Sequence, residues 1–261
     1  MTTFHPPRSQ AKIVAALRTA GCVFAEDEAA LLVSESSSAA MLDERVRRRV
    51  TGEPLEVILG WAEFAGLRIA IDPGVFVPRR RTEYLVRRAL RRATAGSTVV
   101  DLCCGSGALG AAMSSAIADL RLYAADIEPA AVACARRNLA GIGDVFEGDL
   151  FEALPGELRG RVDLLLVNAP YVPTDEIAAM PAEARDYEPR ITLDGGSDGL
   201  DVHQRVAAGA ANGQSPDGAL LIEISRRQAP VAATMFESAG LTPSIKYSRQ
   251  LDSTVLLGLR T

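Results

Sequence analysis

The chain has 261 residues, of which 48% are hydrophobic and 23% charged, and its formal net charge is -5 with a pI near 5.2. This acidic balance argues against a protein that coats nucleic acid, because backbone phosphates require a broad basic surface. The apolar residues come in short runs rather than in an uninterrupted span of ~18 residues, so we expect a soluble protein with no part in a membrane.

The N-terminal part of the chain predicts helices followed by a hairpin. Residues 10–50 carry helix formers throughout, and a glycine closes the first run, "AKIVAALRTAG". Alternating apolar positions then stand in "LRIAI" before the turn "DPG", which predicts a short hairpin that connects two domains. We expect a helical domain with this linker hairpin over residues 1–75 and a second domain over residues 76–261.

The start of the chain and the cysteines bear on location and on metal binding. The first residues lack the basic region, apolar core and cleavage site of a signal peptide. The four cysteines show no C-x-x-C spacing, and His5 and His203 are the only histidines in the sequence. We therefore predict a cytoplasmic protein without a metal site.

Strands and helices alternate through the second half of the chain. The strand-like runs "STVVDL", "RLYAAD", "DVFEGD", "VDLLLV" and "ALLIEI" are separated by helical stretches, and "PSIKYS" with "TVLLGL" is suited to a terminal antiparallel hairpin. Alternation of this kind predicts an α/β fold with a doubly wound, largely parallel sheet and helices on both faces. Ligands bind such sheets just beyond the carboxyl ends of the strands.

Acidic residues and glycines follow the first strands of this sheet. Asp101 ends a strand before the turn of Gly105 and Gly107, Asp126 ends the next strand, and Asp149 follows the third. The incomplete G-x-G-x-x-G pattern and the three acids argue against a pyrophosphate, whereas they suit S-adenosylmethionine, a cationic nucleoside without phosphate. We expect Asp126 to hold the ribose and Asp149 the adenine amino group. The alternative is that single acids only cap strands or helices.

The run "VDLLLV" ends in a second candidate site, "NAPY". The side-chain oxygen of Asn168 and the carbonyl of Ala169 can each accept a hydrogen bond from a planar NH2 group, and Tyr171 offers a face against which that group packs. Pro170 holds Ala169 in extended geometry. We therefore expect these four residues to be catalytic, with Asn168 also bordering the cofactor. The alternative is a strand terminator followed by a proline turn.

Over residues 52–260 the chain resembles the protein-glutamine methyltransferases, which modify glutamine side-chain amides in peptide-chain release factors or a ribosomal protein. The matching segments, in order, are "GEPLEVILGWAEFAGLRIAIDPGVFVPR", "TEYLV", "VVDLCCGSGALG", "AADIEP", "GDLFEALPG", "VNAPYVP", "YEPRITLDGGSDGL" and "LLIEISRRQ". The resemblance implies a seven-stranded methyltransferase sheet and a helical substrate-recognition domain. It also implies that Leu150 flanks the adenine and that Phe76, Pro78 and Arg79 shape the pocket mouth.

Other residues of the resemblance receive weaker interpretations. Glu188, Pro189 and the glycines of "LDGGSDGL" form either a substrate-binding loop beside the acceptor pocket or a structural turn. Glu223 and Gln228 match the family's "E-I-x-x-x-Q", for which we predict only support of the sheet edge. His203 is interpreted as a packing or surface residue.

The chain departs from the family's pattern in three places. Ala169 replaces the first proline of N-P-P-Y, as in a related subgroup whose protein substrate is unassigned. Cys103 stands where the cofactor loop has its first glycine, and Arg80 with Arg81 replaces a proline-acid pair near the pocket mouth. We interpret the arginines as bearing on partner choice and not on chemistry.

The leading hypothesis is methyl transfer from S-adenosylmethionine to a glutamine side-chain amide in a partner protein, such as a release factor, a ribosomal protein or another translation protein. Nucleic acid is not expected as the direct substrate. One alternative is methylation of an exocyclic amino group of a nucleic-acid base, which the acidic pI disfavours. Another is a catalytically weak cofactor-binding scaffold, which the combined presence of Asp126, Asp149 and Asn168 disfavours.

Overall fold

The computed structural model describes residues 7–260, which begin with four helices. The helices are α1 (Pro7–Thr19), α2 (Ala25–Ser34), α3 (Ala39–Val50) and α4 (Leu55–Leu59). Their apolar faces form one small core around the fully buried Leu17 and Leu32. The side chain of Ser38 caps α3 by accepting a hydrogen bond from the backbone N–H of Met41, at 3.2 Å.

A two-stranded antiparallel hairpin follows, with strands β1 (Trp61–Phe64) and β2 (Leu67–Ala70). Ala65 and Gly66 make its turn with positive φ angles of 52° and 77°, as tight hairpin turns require. The buried hairpin residues Phe64 and Ile69 belong to the core of the large sheet rather than to the helical core. The buried core residues before position 60 therefore belong to the helical core, and those of the hairpin belong to a core of the large sheet. The domain boundary near residue 75 stays a prediction.

A second link ties the hairpin to the rest of the chain. The side-chain amide of Asn138 donates to the carbonyls of Ala70 and Ser106, at 2.9 and 2.8 Å, and its oxygen accepts from the N–H of Ala70 at 2.9 Å. One side chain thus joins β2 to the loop that carries the candidate cofactor glycines.

The remaining strands form one seven-stranded sheet, which confirms the predicted fold class. Its strands are β3 (Thr98–Leu102), β4 (Arg121–Asp126), β5 (Asp144–Glu147), β6 (Val162–Val167), β7 (Gln214–Ile224), β8 (Leu241–Ser248) and β9 (Ser253–Arg260). The spatial order is β5-β4-β3-β6-β7-β9-β8. The first five strands in that order run parallel, and β9 is antiparallel to both β7 and β8, as the expected terminal hairpin requires.

Helices cover both faces of this sheet. They are α5 (Glu83–Ala89), α6 (Ala108–Ala116), α7 (Pro129–Asn138), α9 (Asp201–Gly213) and α10 (Ala229–Ser238), whereas the short helix α8 (Ala182–Tyr187) contributes to neither sheet core. Alternate strand residues belong to different cores: Val99 and Leu164 pack with α5, α6 and α7, whereas Val100 and Leu165 pack with α9 and α10. Burial on both faces explains why these strands read as continuous apolar runs.

Residues 7–260 contain neither a membrane-spanning helix nor a cluster of metal-binding side chains. None of their helices combines the length and the apolar character that crossing a membrane demands. Nor do these residues hold a group of three or more His, Cys, Asp and Glu side chains that could bind a metal ion. His5 lies outside the described residues.

Candidate active site

The carboxyl ends of β3, β4 and β6 open into a cleft of about 280 Å³. Because β3 lies between β4 and β6, the chain leaves the sheet in opposite directions there, which is where open α/β sheets bind ligands. Most of the predicted site residues line this cleft: Phe76, Pro78, Arg79, Gly105, Asp126, Asp149, Leu150, Asn168, Ala169, Pro170, Tyr171 and Glu188. The predicted residues Asp101, Gly107 and Pro189 do not line it.

The carboxylate of Asp126 holds the loop between β3 and α6. One of its oxygens accepts from the N–H of Gly105 at 2.8 Å, and the other accepts from the N–H of Glu128 at 3.0 Å. Burial raises the pKa of Asp126, while these backbone hydrogen bonds oppose the rise. Asp126 therefore shapes the loop in addition to facing the cleft.

Cys103 occupies a backbone position that favours glycine. Its φ is +57°, and Gly105 and Gly107 in the same loop are at +54° and +76°. The loop therefore keeps a left-handed path at this position despite the side chain, which costs a residue with a Cβ atom about 1 kcal/mol or more.

We expect Cys103→Gly to be more stable than Cys103→Ala by about 1 kcal/mol, because alanine keeps the Cβ atom that opposes a positive φ. Urea unfolding of the two variants measures the difference. Cys104, which has no positive φ, is the matched control, and there alanine should be the more stable by about 0.5–1 kcal/mol. Equal stabilities for the two variants at position 103 would contradict the strained backbone.

Asp101 lies behind the loop rather than in the cleft. It is fully buried, and one carboxylate oxygen accepts from the N–H of Gly110 at 2.9 Å in the first turns of α6. The other oxygen has no partner among the described residues. Burial, with a smaller contribution from Asp126, raises the pKa of Asp101 to about 8. The structure thus places Asp101 against α6 and outside the lining of the cleft, and its predicted cofactor contact stays a prediction.

The raised pKa of Asp101 predicts a specific dependence of stability on pH. The folded protein holds this proton more tightly than the unfolded chain, whose pKa is near 3.8, so stability should fall as the pH rises from 3.8 to about 8. The fall should be at most about 1.4 kcal/mol per pH unit. Asp101→Asn has no titrating group at this position. The free energy of unfolding of the wild type, measured with urea across this pH range, should therefore fall relative to that of Asp101→Asn as the pH rises. A constant difference would refute the assignment.

At the adenine end of the predicted cofactor site, Asp149 pairs with Arg205. The guanidinium of Arg205, which projects from α9, donates to one Asp149 oxygen at 2.6 Å. Sequence reasoning missed Arg205, which follows Asp149 by 56 positions and belongs to none of the quoted motifs. The pair is partly exposed, so it fixes the direction of the carboxylate more than it stabilises the fold.

The "NAPY" segment begins where β6 ends. Asn168 and Ala169 both line the cleft, and Ala169 is buried at its base. Tyr171 donates from its hydroxyl to Glu223 at 3.2 Å, and its backbone carbonyl accepts from the side chain of Gln228 at 2.9 Å. Burial, and then the neighbouring Glu223, raise the pKa of Tyr171, so its hydroxyl stays neutral.

Arg81 completes a polar triad with Tyr171 and Glu223. Its Nη2 donates to the Tyr171 hydroxyl at 2.8 Å, and its Nε donates to the same Glu223 oxygen at 3.3 Å. Burial raises the pKa of Glu223, and Arg81 opposes that rise. The interpretation of Arg81 as relevant only to partner choice is therefore incomplete, because this arginine touches the predicted catalytic tyrosine.

Other residues also brace Tyr171. The buried ring of His203 packs edge-on to the tyrosine ring, at 6.4 Å between centroids, and its Nε2 is 3.2 Å from the carbonyl of Glu223. Burial lowers the pKa of His203 to about 4, which keeps it neutral. Glu223 lies near the end of β7 and Gln228 directly before α10. Because β7 lies between β6 and β9, neither residue supports an edge strand of the sheet, contrary to the role predicted for both. The "E-I-x-x-x-Q" match was the sequence feature from which the contacts of both residues with Tyr171 could have been predicted.

The glycine-rich segment after β6 packs directly against the "NAPY" backbone. The N–H of Val172 donates to the carbonyl of Leu193 at 3.0 Å, and the N–H of Gly195 donates to the carbonyl of Val172 at 2.9 Å. Gly199 has a φ of +76°, and a Cβ atom there would lie 2.3 Å from the carbonyl oxygen of Tyr171. These glycines therefore have a structural reason to be present, which is close approach of two backbone segments.

The predicted mouth residues gather around a buried carboxylate. Arg79 pairs with Glu188, whose side chain is only 2% exposed, and the Arg79 guanidinium lies 5.1 Å from the ring centre of Phe76. The second oxygen of Glu188 has no partner among the described residues. Pro189 instead precedes the short 3-10 turn Arg190–Thr192. Burial raises the pKa of Glu188, and Arg79 opposes the rise.

The residues present fit S-adenosylmethionine. Asp126, Glu128 and Asp149 line one end of the cleft, and the arginine nearest to them, Arg205, is already paired. Such a set attracts a cationic nucleoside and would repel phosphates. When bound, this cofactor supplies an electrophilic methyl group. Asp126, Asp149 and Leu150 would hold its nucleoside.

Comparison with known proteins agrees with this reading of the cleft. Residues 66–184 match the family model described as "Methyltransferase small domain". A release factor glutamine methyltransferase of Geobacter sulfurreducens is 40% identical over 198 residues, which cover 75% of this chain and 69% of that protein. A second relative, the 4-amino-L-phenylalanine/4-methylamino-L-phenylalanine methyltransferase of Streptomyces pristinaespiralis, is 36% identical over 203 residues, with the same coverages.

Solved structures agree in fold. A methyltransferase from Pyrococcus furiosus aligns with a TM-score of 0.57 at 15% identity, covering 75% of this chain and 89% of that one. The ribosomal protein L11 methylase of Lactobacillus delbrueckii subsp. bulgaricus aligns with a TM-score of 0.53 at 18% identity, covering 74% and 85%. At these identities the likeness shows the fold alone.

Proposed function

The chain belongs to the release factor glutamine methyltransferase family, and from this premise we propose that it methylates the side-chain amide of a glutamine in a partner protein. As a member of this family it is an S-adenosylmethionine-dependent methyltransferase. The partner that we propose is a release factor or another protein of translation, as the names of several relatives suggest.

The observation that carries the proposal is the position of "NAPY" beside the acid-lined end of one cleft. Asn168 and the carbonyl of Ala169 stand at the end of β6, next to the loop that Asp126 holds at the ends of β3 and β4. Two hydrogen-bond acceptors placed there can hold a planar NH2 group beside the cofactor, which is the arrangement that amide methylation requires.

Each residue of the acceptor end has a proposed task. An amide nitrogen is a weak nucleophile and must be oriented. The Asn168 side-chain oxygen and the Ala169 carbonyl would each accept a hydrogen bond from one of its two N–H groups. The ring of Tyr171, braced by Arg81 and Glu223, packs against the amide and excludes water. No base within the cleft is needed, because the methylated amide nitrogen is cationic and gives up its proton to water when the product leaves the site.

We propose that the N-terminal helices recognise the partner protein. Two contacts join them to α8: the Nη2 of Arg49 in α3 lies 3.4 Å from a carboxylate oxygen of Glu183, and the hydroxyl of Tyr187 donates to the carbonyl of Thr51 at 2.9 Å. Arg49 also binds Glu28 of α2 at 2.6 Å. A protein resting on these helices would therefore lie beside the cleft mouth.

The test is methyl transfer from labelled S-adenosylmethionine to purified release factors and to a total lysate of cells that lack this protein. Wild type and Asn168→Ala are compared, each with and without nuclease. We expect a nuclease-resistant labelled protein whose added methyl group maps to a glutamine by mass spectrometry, and which the variant does not label. Label that nuclease removes would overturn the proposal in favour of base methylation. No label despite cofactor binding would favour the scaffold hypothesis.

A further inference from the structure

Arg81 lines the acceptor end of the cleft and contacts Tyr171 there. Its side chain is 49% exposed, whereas the side chain of Glu223 beneath it is 3% exposed. The contacts with Tyr171 and Glu223 use Nη2 and Nε, and neither uses Nη1. A guanidinium is a planar fork that can hold further oxygen acceptors on its open edge.

The open edge of Arg81 is close to where the acceptor group would bind. The centre of the guanidinium lies 5.9 Å from the centre of the Tyr171 ring, against which the proposed amide packs. A charged group that is joined to the acceptor amide by only a few covalent bonds could therefore contact Arg81. Charges at such separations interact strongly inside a partly closed cleft.

The acids on this side of the cleft are already engaged by other groups. Glu188 pairs with Arg79. Asp194 accepts from the hydroxyl of Thr174 at 2.6 Å and from Arg190 at 3.0 Å. On this side of the cleft an incoming anion thus meets the exposed edge of Arg81, and the acids described there, Glu188, Asp194 and the buried Glu223, each already have a cationic partner.

We propose that the acceptor carries a carboxylate next to the methylated nitrogen, and that Arg81 binds this carboxylate. The inference rests on the proposed function and narrows its substrate class. An arginine selects a carboxylate because two parallel N–H groups match its two oxygens. The carboxylate can come from an acidic side chain that flanks the target glutamine in a protein, or from the backbone of a free amino acid.

The test compares acceptors that contain the same single target glutamine with and without a neighbouring carboxylate. One pair consists of peptides from the methylated partner with glutamate or methionine beside the target residue, and the other consists of free glutamine and glutamine methyl ester. Wild type should prefer the carboxylate-bearing member of one pair by about tenfold or more in kcat/KM, chiefly through KM, and high salt should reduce the preference. Preference within the peptide pair identifies a protein source, and preference within the free pair identifies an amino acid.

Arg81→Gln should reduce this preference to about twofold or less, whereas Arg81→Lys should retain part of it. Arg80→Gln is the matched control, since Arg80 is a neighbouring exposed arginine, and it should keep the full preference. Loss of the contact between Arg81 and Tyr171 could lower the activity on every acceptor. Such a loss does not affect the preference, because the preference is the ratio of two kcat/KM values of the same variant. Equal wild-type rates on charged and neutral acceptors, or a preference that survives Arg81→Gln, would overturn the inference alone. Transfer to no glutamine acceptor would overturn the proposed function as well.

Discussion

Replacing Asn168 by alanine should lower kcat by about 100- to 1,000-fold, because the acceptor amide loses a fixed hydrogen-bond partner in the transition state. The backbone carbonyl of Ala169 remains, so some orientation of the NH2 group survives. Single-turnover transfer of labelled methyl groups measures the loss. The side chain lies at the cleft surface and outside the two sheet cores, so folding should be preserved.

Two measurements keep the Asn168 result interpretable. Thermal unfolding should show a midpoint within a few degrees of the wild type, and calorimetry should show that S-adenosylmethionine still binds. If the folded variant retained more than about a tenth of wild-type kcat, Asn168 would not hold the reacting group in the transition state.

Replacing Asp126 by alanine should weaken S-adenosylmethionine binding by about 100- to 1,000-fold, the equivalent of about 3–4 kcal/mol. The variant loses the predicted contacts with the ribose and also the two hydrogen bonds that hold the loop, from Gly105 and Glu128. Isothermal calorimetry measures the affinity. Asp149→Ala should cost less, since Asp149 is more exposed and shares its carboxylate with Arg205.

Binding to Asp126 should also depend on pH in a defined direction. The pKa of this carboxyl is raised by burial, so it takes up a proton at a higher pH than an ordinary aspartate does. Affinity for the cofactor should therefore fall on acidification, beginning above the usual aspartate range, and the fall should be absent in Asp126→Asn. An equal loss of affinity in Asp149→Ala and Asp126→Ala would contradict the anchoring role of Asp126.

The sheet could be predicted from the sequence because its signals are local. Each parallel strand is a short apolar run, and the residues that end these runs, such as Asp126 and Asn168, necessarily meet at one edge. The hairpin could also be predicted, but not its packing against the sheet, since an alternating pattern identifies a buried face without identifying what covers it.

The contacts that brace the acceptor site could not be predicted in the same way. Arg81 and Glu223 are 142 positions apart, and no periodicity relates a turn before a helix to the end of a distant strand. Asp101 is the last residue but one of β3 and Asp126 is the last of β4, yet Asp101 is enclosed behind a helix and Asp126 faces the cleft. That difference depends on the path of the loop and not on residue type.

The ion pair between Arg49 and Glu183 has a consequence for exchanging modules among relatives. Arg49 is almost fully enclosed, and its charge is balanced by Glu28 from its own helical segment and by Glu183 from α8. A chimera that exchanged only the N-terminal helices would bring this cation against an unmatched α8. Breaking such a pair from one side costs more than replacing both sides together. We therefore expect a chimera to tolerate exchange of the N-terminal helices better when α8 is exchanged with them, although Arg49 and Glu183 are 134 positions apart along the chain.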